Sequence, residues 1–151
     1  MNREILFRGK QTDNGEWVEG YYAPCSFGSW PCRPAIVNKA DLENGMWHYE
    51  EVDPSTVCQF TGLTDKNGVK IFEGDVVERK GVGVREDYVS ENGEKWSRST
   101  NRKKDERGII RYYEDVTQFT SDNPCIWLGY YDDIEVTGNI FDNTELLEEK
   151  A

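Results

Sequence analysis

The chain has one imidazole, His48, set between Trp47 and Tyr49 and followed by Glu50, Glu51 and Asp53. General acid–base chemistry needs a carboxylate pair, a histidine or a tuned lysine in a pocket, and nucleophilic chemistry needs Ser or Cys beside a base. A Trp-His-Tyr run reads as a sheet strand in which the histidine has ordinary aromatic neighbours. The three acids could hold a cation, but strand-end acids of this kind are usually solvated. Cys25, Cys32, Cys58 and Cys125 do not fall into the close pairs that zinc sites use, so they read as buried free thiols. Neither a Gly-rich phosphate loop nor a nucleophile elbow is present. These residues predict no enzyme, no cofactor and no metal site, with a small hydrolase around His48 as a remote alternative.

Charge offers a second kind of chemistry. The net charge is -11, yet the stretch from Arg79 to Arg111 carries ten bases against six acids, which makes it +4 and leaves -15 on the remainder. Within it, an insertion near residues 95–107 is poor in apolar residues and reads as a long exposed loop. Arg98, Arg102, Lys103, Lys104 and Arg107, with Trp96 or Tyr88 available for stacking, could contact nucleic-acid phosphates or dock on an acidic protein surface. The same bases could simply neutralise the chain's own acids. The field of the whole molecule opposes polyanions beyond a Debye length, so a protein partner is the preferred reading and nucleic acid the alternative. Mimicry of DNA by the acidic surplus is more remote, since no regular carboxylate rows are visible.

The elements that must position these residues are short. With 151 residues the chain can build one domain or two small ones, and 13% aromatic residues supply a core despite a hydrophobic fraction of 36%. Asn14-Gly15, Asn44-Gly45, Asn67-Gly68 and Asn92-Gly93 are hairpin-turn signals. Between the turns, the pattern predicts strands over Ile5–Gly9, Glu16–Tyr22, Trp47–Val52, Val57–Thr61, Asp75–Arg79, Gly108–Tyr113, Ile126–Tyr131 and Ile134–Thr137. Three prolines mark Ala23–Pro34 as a loop. Asp142 or Asn143 is placed to cap a short C-terminal helical turn, with Leu146 and Leu147 tucked against the core. The tyrosine pairs at 21–22, 112–113 and 130–131 put successive rings on opposite strand faces. No membrane span or signal segment is apparent, and the cysteine usage predicts a reducing cytoplasm.

The run from Gln59 to Val77, with Phe60-Thr61-Gly62-Leu63-Thr64-Asp65-Lys66-Asn67-Gly68 and Ile71-Phe72-Glu73-Gly74-Asp75 inside it, is similar to the signature of the YopX family of phage and prophage proteins. Further pieces match in order: Arg3–Lys10, Gly108–Tyr112 and Ile134–Asn143. The resemblance implies a mostly β fold, with a hairpin region over 1–55 and an SH3-like barrel over 56–151, forming one compact unit. It implies a non-catalytic accessory protein in the bacterial cytoplasm and carries over no catalytic residues. Gly62, Asp65, Asn67, Gly68, Gly74 and Asp75 are read as structural, because Asx and glycine turns explain them, although Asp75 could instead be a catalytic carboxylate. The expected partner is a host or phage protein. A second copy could pair through an edge strand, and no membrane is involved.

Overall fold

The computed structural model describes residues 4–24, 32–46, 48–116, 118–123, 126 and 133–148. Within them the chain is mostly β, with two antiparallel sheets. The first sheet contains β1 (Phe7–Lys10), β2 (Trp17–Ala23), β3 (Ala35–Asn38), β4 (Tyr49–Glu51), β5 (Cys58–Thr64) and β6 (Lys70–Phe72), in the order β4-β3-β2-β1-β5-β6. The second contains β7 (Asp75–Val89), β8 (Lys95–Tyr113), β9 (Gln118–Ser121) and β10 (Glu135–Asn139), in the order β10-β7-β8-β9. Helix α1 (Lys39–Glu43) links β3 to β4, and α2 (Glu145–Glu148) follows β10.

The described strands form no closed barrel, in contrast to the SH3-like barrel expected over 56–151. Strand β1 pairs on both sides, Phe7 opposite Gly20 of β2 and opposite Gln59 of β5, so the segment after residue 56 is drawn into the N-terminal sheet. Strands β7 and β8 continue beyond the second sheet as a long hairpin whose outer part pairs with no other described strand.

Local chemistry fixes these elements. In the first hairpin Gly15 has φ +70°, its N–H donates to Gln11 O at 2.9 Å, and Asn14 Oδ1 accepts from Glu16 N, which sets Lys10 opposite Trp17. Helix α1 begins where Asn38 Oδ1 accepts from Ala40 N and Asp41 N. At the other end Asn143 and Asp142 do not cap α2 as expected. Asn143 Oδ1 accepts from Asn139 N, and Asp142 is taken by the other sheet.

Strand β6 divides the core. Successive side chains of a strand point to opposite faces, so Ile71 enters one apolar cluster with Val77, Ile110, Ile126 and Ile134, while Phe72 enters another with Leu6, Cys58 and Phe60. Burial pushes the Cys58 thiol up to about 11, with nearby Arg8 opposing it, so Cys58 is an inert core group. Cys32 departs from the expected free thiol. It is exposed and disulfide-bonded, because it lies in the irregular stretch before β3, where no core is at hand to bury it. Cys25, Cys125, Trp47, the 130–131 tyrosines and all but Ile126 of the predicted 126–131 strand lie outside the described residues.

The two sheets meet at a buried ion pair. Arg8 of β1 donates through Nη2 to Asp75 Oδ1 of β7 at 2.5 Å, and Phe72 N donates to Asp75 Oδ2 at 2.7 Å. The guanidinium lies 4.6 Å from the ring centroids of both Trp17 and Phe72, so its open faces are covered by π-systems. Burial raises the Asp75 carboxyl above its ordinary value, and Arg8 opposes that rise. Farther out, Trp17 Nε1 donates to Asp142 Oδ2 at 2.7 Å, Lys10 pairs with the same carboxylate, and Trp17 packs edge-on against Phe141.

Three outcomes follow from this packing. Asp75→Ala strands the buried Arg8 cation and is expected to cost about 3–5 kcal/mol in urea unfolding, whereas the double variant Arg8→Met/Asp75→Ala should recover most of that loss. A Cβ at Gly20 would lie 1.9 Å from the backbone carbonyl oxygen of Val37, so Gly20→Ala should cost about 1–3 kcal/mol or more by prising β2 from β3, while Gly83→Ala, with nothing within 4 Å, should stay within about 0.5 kcal/mol of wild type. The Lys10 hydrogen bond, followed by those of Trp17 and Asn139, lowers the Asp142 carboxyl to about 2. A depressed carboxyl stabilises the fold above its unfolded value and loses that contribution as pH falls through its folded value. The wild-type melting temperature should therefore exceed that of Asp142→Asn at neutral pH, with the gap closing between about pH 4 and 2. Asp75 has the opposite sign and is common to both proteins, so the difference curve isolates Asp142.

Candidate functional site

The basic segment is a strand and not the expected loop. Its residues form the outer part of β8, paired with β7 down to Tyr88 opposite Trp96 and Val89 opposite Lys95. Pairing satisfies backbone groups that a loop of this length would leave to water, and the Asn-Gly turn supplies the reversal. At the tip, Ser90 N donates to Glu94 O, Gly93 N donates to Ser90 O, and Gly93 has φ +82°. None of the residues from Lys80 to Asp105 is buried, so the hairpin stands off the body as an arm.

Two irregularities shape it. The register slips between Arg79 and Val82, where Gly81 adopts φ +66° and its N–H donates to Asp105 Oδ1 at 3.0 Å. It slips again between Gly83 and Arg85, where Thr100 Oγ1 donates to Val84 O at 2.8 Å. Extra residues on one strand bend a ribbon and increase its twist, so the bases of β8 are not presented as one straight row.

Directly opposed residues share a face, which groups Glu86, Tyr88, Trp96 and Arg98. The Tyr88 and Trp96 rings stack at 4.4 Å and 18°, with Trp96 52% and Tyr88 37% exposed. Glu86 Oε2 accepts from Tyr88 Oη at 2.6 Å, a bond that raises the phenol, and Glu86 Oε1 pairs with Arg102 at 3.0 Å. Arg107 binds Glu78 at 2.6 Å, and Lys104 lies 3.3 Å from Glu106. Arg98 and Lys103 are the two of the five bases with no ion pair among the described residues. The arm thus offers an exposed aromatic stack with the free Arg98 beside it, while the other free base, Lys103, lies opposite Gly83 near the base of the arm. On the opposite face Ser97 Oγ donates to Asp87 Oδ1.

The motif residues lie elsewhere, in the body. Asp65 Oδ1 accepts from Asn67 N and Val69 N at 2.8 and 2.9 Å, and its Oδ2 accepts from Val136 N at 2.9 Å, tying the β5–β6 turn to β10. Burial alone would raise this carboxyl, but the three backbone N–H bonds together hold it below its ordinary value. Gly62, Gly68 and Gly74 all have positive φ, and Gly74 backs onto Ile140. Asp75 is spent on Arg8 and Phe72 N.

His48 is 72% exposed and lies 3.2 Å from Asp41. Glu51 pairs with Arg33, and Asp53 caps a 3-10 turn through Ser55 N. Among the described residues no three His, Cys, Asp or Glu side chains gather as metal ligands, and no helix is long and apolar enough to cross a membrane. Sequence reasoning missed the Tyr88–Trp96 pairing, although counting outward from Asn92-Gly93 brings those two residues opposite each other. It also missed Arg8, Trp17 and Asp142, whose partners are set by the meeting of the sheets and have no local signal.

No curated protein matches the chain. The crystal structure of protein EF1440 from Enterococcus faecalis aligns over 97% of this chain and 99% of that one, with a TM-score of 0.52 and 23% identity, a likeness of fold. The YopX protein family model matches residues 6–148, a span that takes in both sheets, the ion pair between them and the arm, and the chain belongs to that family.

Proposed function

We propose that the chain is a non-catalytic accessory protein of phages and prophages that binds a macromolecule through the β7–β8 arm, and that this macromolecule is a host or phage protein. The observation that carries the reading is the exposed Tyr88–Trp96 stack beside Arg98, which has no ion pair among the described residues. Aromatic rings and arginine are the residues that dominate protein interfaces, since they bring large area at small entropic cost. Nucleic acid is the second reading, supported by the same rings and bases. It is weakened by the neutralisation of Arg102, Lys104 and Arg107 within the chain and by a net charge of -11.

The family likeness to phage proteins supports a bacterial cytoplasmic site of action, while the Cys32 disulfide speaks against a reducing compartment. An SH3-like arrangement of the second half remains part of this proposal only as a kinship of small β folds that recognise ligands through surface aromatics. The body and the arm would then divide the work, the one rigid and the other presented.

Capture from a bacterial host extract should retain a defined protein on the wild type, with at least a tenfold loss on Trp96→Ala/Arg98→Ser, a variant whose exposed positions leave the fold intact by circular dichroism. Equal retention on both would overturn the reading. Fluorescence anisotropy with single-stranded and duplex DNA at low salt should stay flat; saturable binding that weakens steeply with salt and is lost in Arg98→Ser/Lys103→Ser would replace the protein reading with the nucleic-acid one.

A further inference from the structure

An isolated two-stranded ribbon is marginal in water, and this arm runs for about ten residue pairs, roughly 30 Å, beyond the sheet. It leaves Val89 67% and Trp96 52% exposed, with backbone edges unpaired on both sides among the described residues. Residues 80–104 carry seven bases against four acids, which places +3 on the arm and -14 on the rest of the chain. The arm therefore has apolar area, open edges and a charge opposite to that of its own body.

The body carries a matching surface at the edge of the first sheet. Strand β4 is the outermost strand there, and residues 41–53 contain five acids and neither lysine nor arginine, although Glu51 pairs with Arg33, Glu43 lies 4.0 Å from Lys39 and Asp41 lies 3.2 Å from His48. The register sets Tyr21 opposite Val37 and Val37 opposite Tyr49, so these three side chains form a row across β2, β3 and β4 on one face. Tyr21 is 40% and Tyr49 47% exposed, and no described element covers them. An apolar row on an acidic body is the complement of an aromatic stack with Arg98 beside it on a net basic arm.

We propose that the occupant is a second copy of this chain: two protomers exchange arms about a twofold axis, each Tyr88–Trp96 stack seating on the partner's β2–β3–β4 face with Arg98 and Lys103 toward the acids of residues 41–53. A twofold arrangement forms the contact twice at once, which a single arm on an unrelated acidic protein does not. This rests on the reading of the arm as a protein-binding element and names its partner.

Sedimentation velocity of the full chain across a concentration series tests it. The expected result is a monomer–dimer equilibrium whose dissociation constant rises at least tenfold between 50 and 500 mM salt. Arg98→Glu/Lys103→Glu and, separately, Tyr49→Arg should each raise it at least tenfold at low salt with the circular dichroism unchanged. A wild type that stays monomeric at low salt up to several hundred micromolar, or a dimer indifferent to both variants, overturns the arm exchange. If that monomer still captures a defined host protein through Trp96 and Arg98, the protein-binding reading of the arm stands while the second copy is excluded as its partner. If it captures none, both fail.

Discussion

The Arg8–Asp75 pair is the constraint around which the two sheets are arranged. Asp75 stands at the first position of β7, one oxygen on Arg8 and the other on the N–H of Phe72, so its two acceptors fix the approach of β1, β6 and β7 together. Removing two charges from water costs several kcal/mol per ion, and their attraction roughly repays it. The pair is thus a weak source of net stability. Its effect is on geometry, because a relative shift of the sheets would leave a buried charge alone. The rings of Trp17 and Phe72 on either side of the guanidinium narrow the choice further, since the cation must lie between two faces as well as against a carboxylate.

Everything near that pair is tied to it by chain continuity. Phe72 covers Arg8 and fills one core cluster, and its neighbour Ile71 fills the other, so the single short strand β6 couples the packing of both. Thr61 Oγ1 accepts no role in solvent and instead donates to Ile71 O at 2.8 Å, holding β5 to β6 where their register is irregular. Asp65 then joins the following turn to β10. In the run from Gln59 to Val77 the glycines supply positive φ, and Asp65 and Asp75 accept backbone N–H groups where the strands meet.

Much of this was legible in local pattern. The Asn-Gly turns mark the first hairpin, the β5–β6 turn and the tip of the arm, because a tight reversal needs residues that tolerate the left-handed region. Strand β3 was hidden, since Ala35–Asn38 is four residues long and follows a proline-rich stretch, and its only advertisement is that Ala35 and Ile36 end up fully buried. Strand β8 was misread for the opposite reason. Ser97 to Asp105 is polar throughout because both faces of the arm meet water, and a strand with no buried face has no apolar alternation to show. The inter-sheet contacts were out of reach, as Arg8 and Asp75 are 67 residues apart and nothing local marks a guanidinium for burial.

The same division separates what holds the protein together from what it presents. The buried Asp65 and Asp75 are held by backbone donors and by Arg8, so their titration is tied to stability and they are not free to meet a ligand. The arm contributes little apolar burial, and its ion pairs are exposed ones of small energetic weight. That such a segment keeps a stacked tyrosine and tryptophan in water is the ground on which the binding role is proposed for it. The bulge at Gly81 bends the ribbon where it leaves the sheet and involves neither core cluster, so the course of the arm is set apart from the packing of the body.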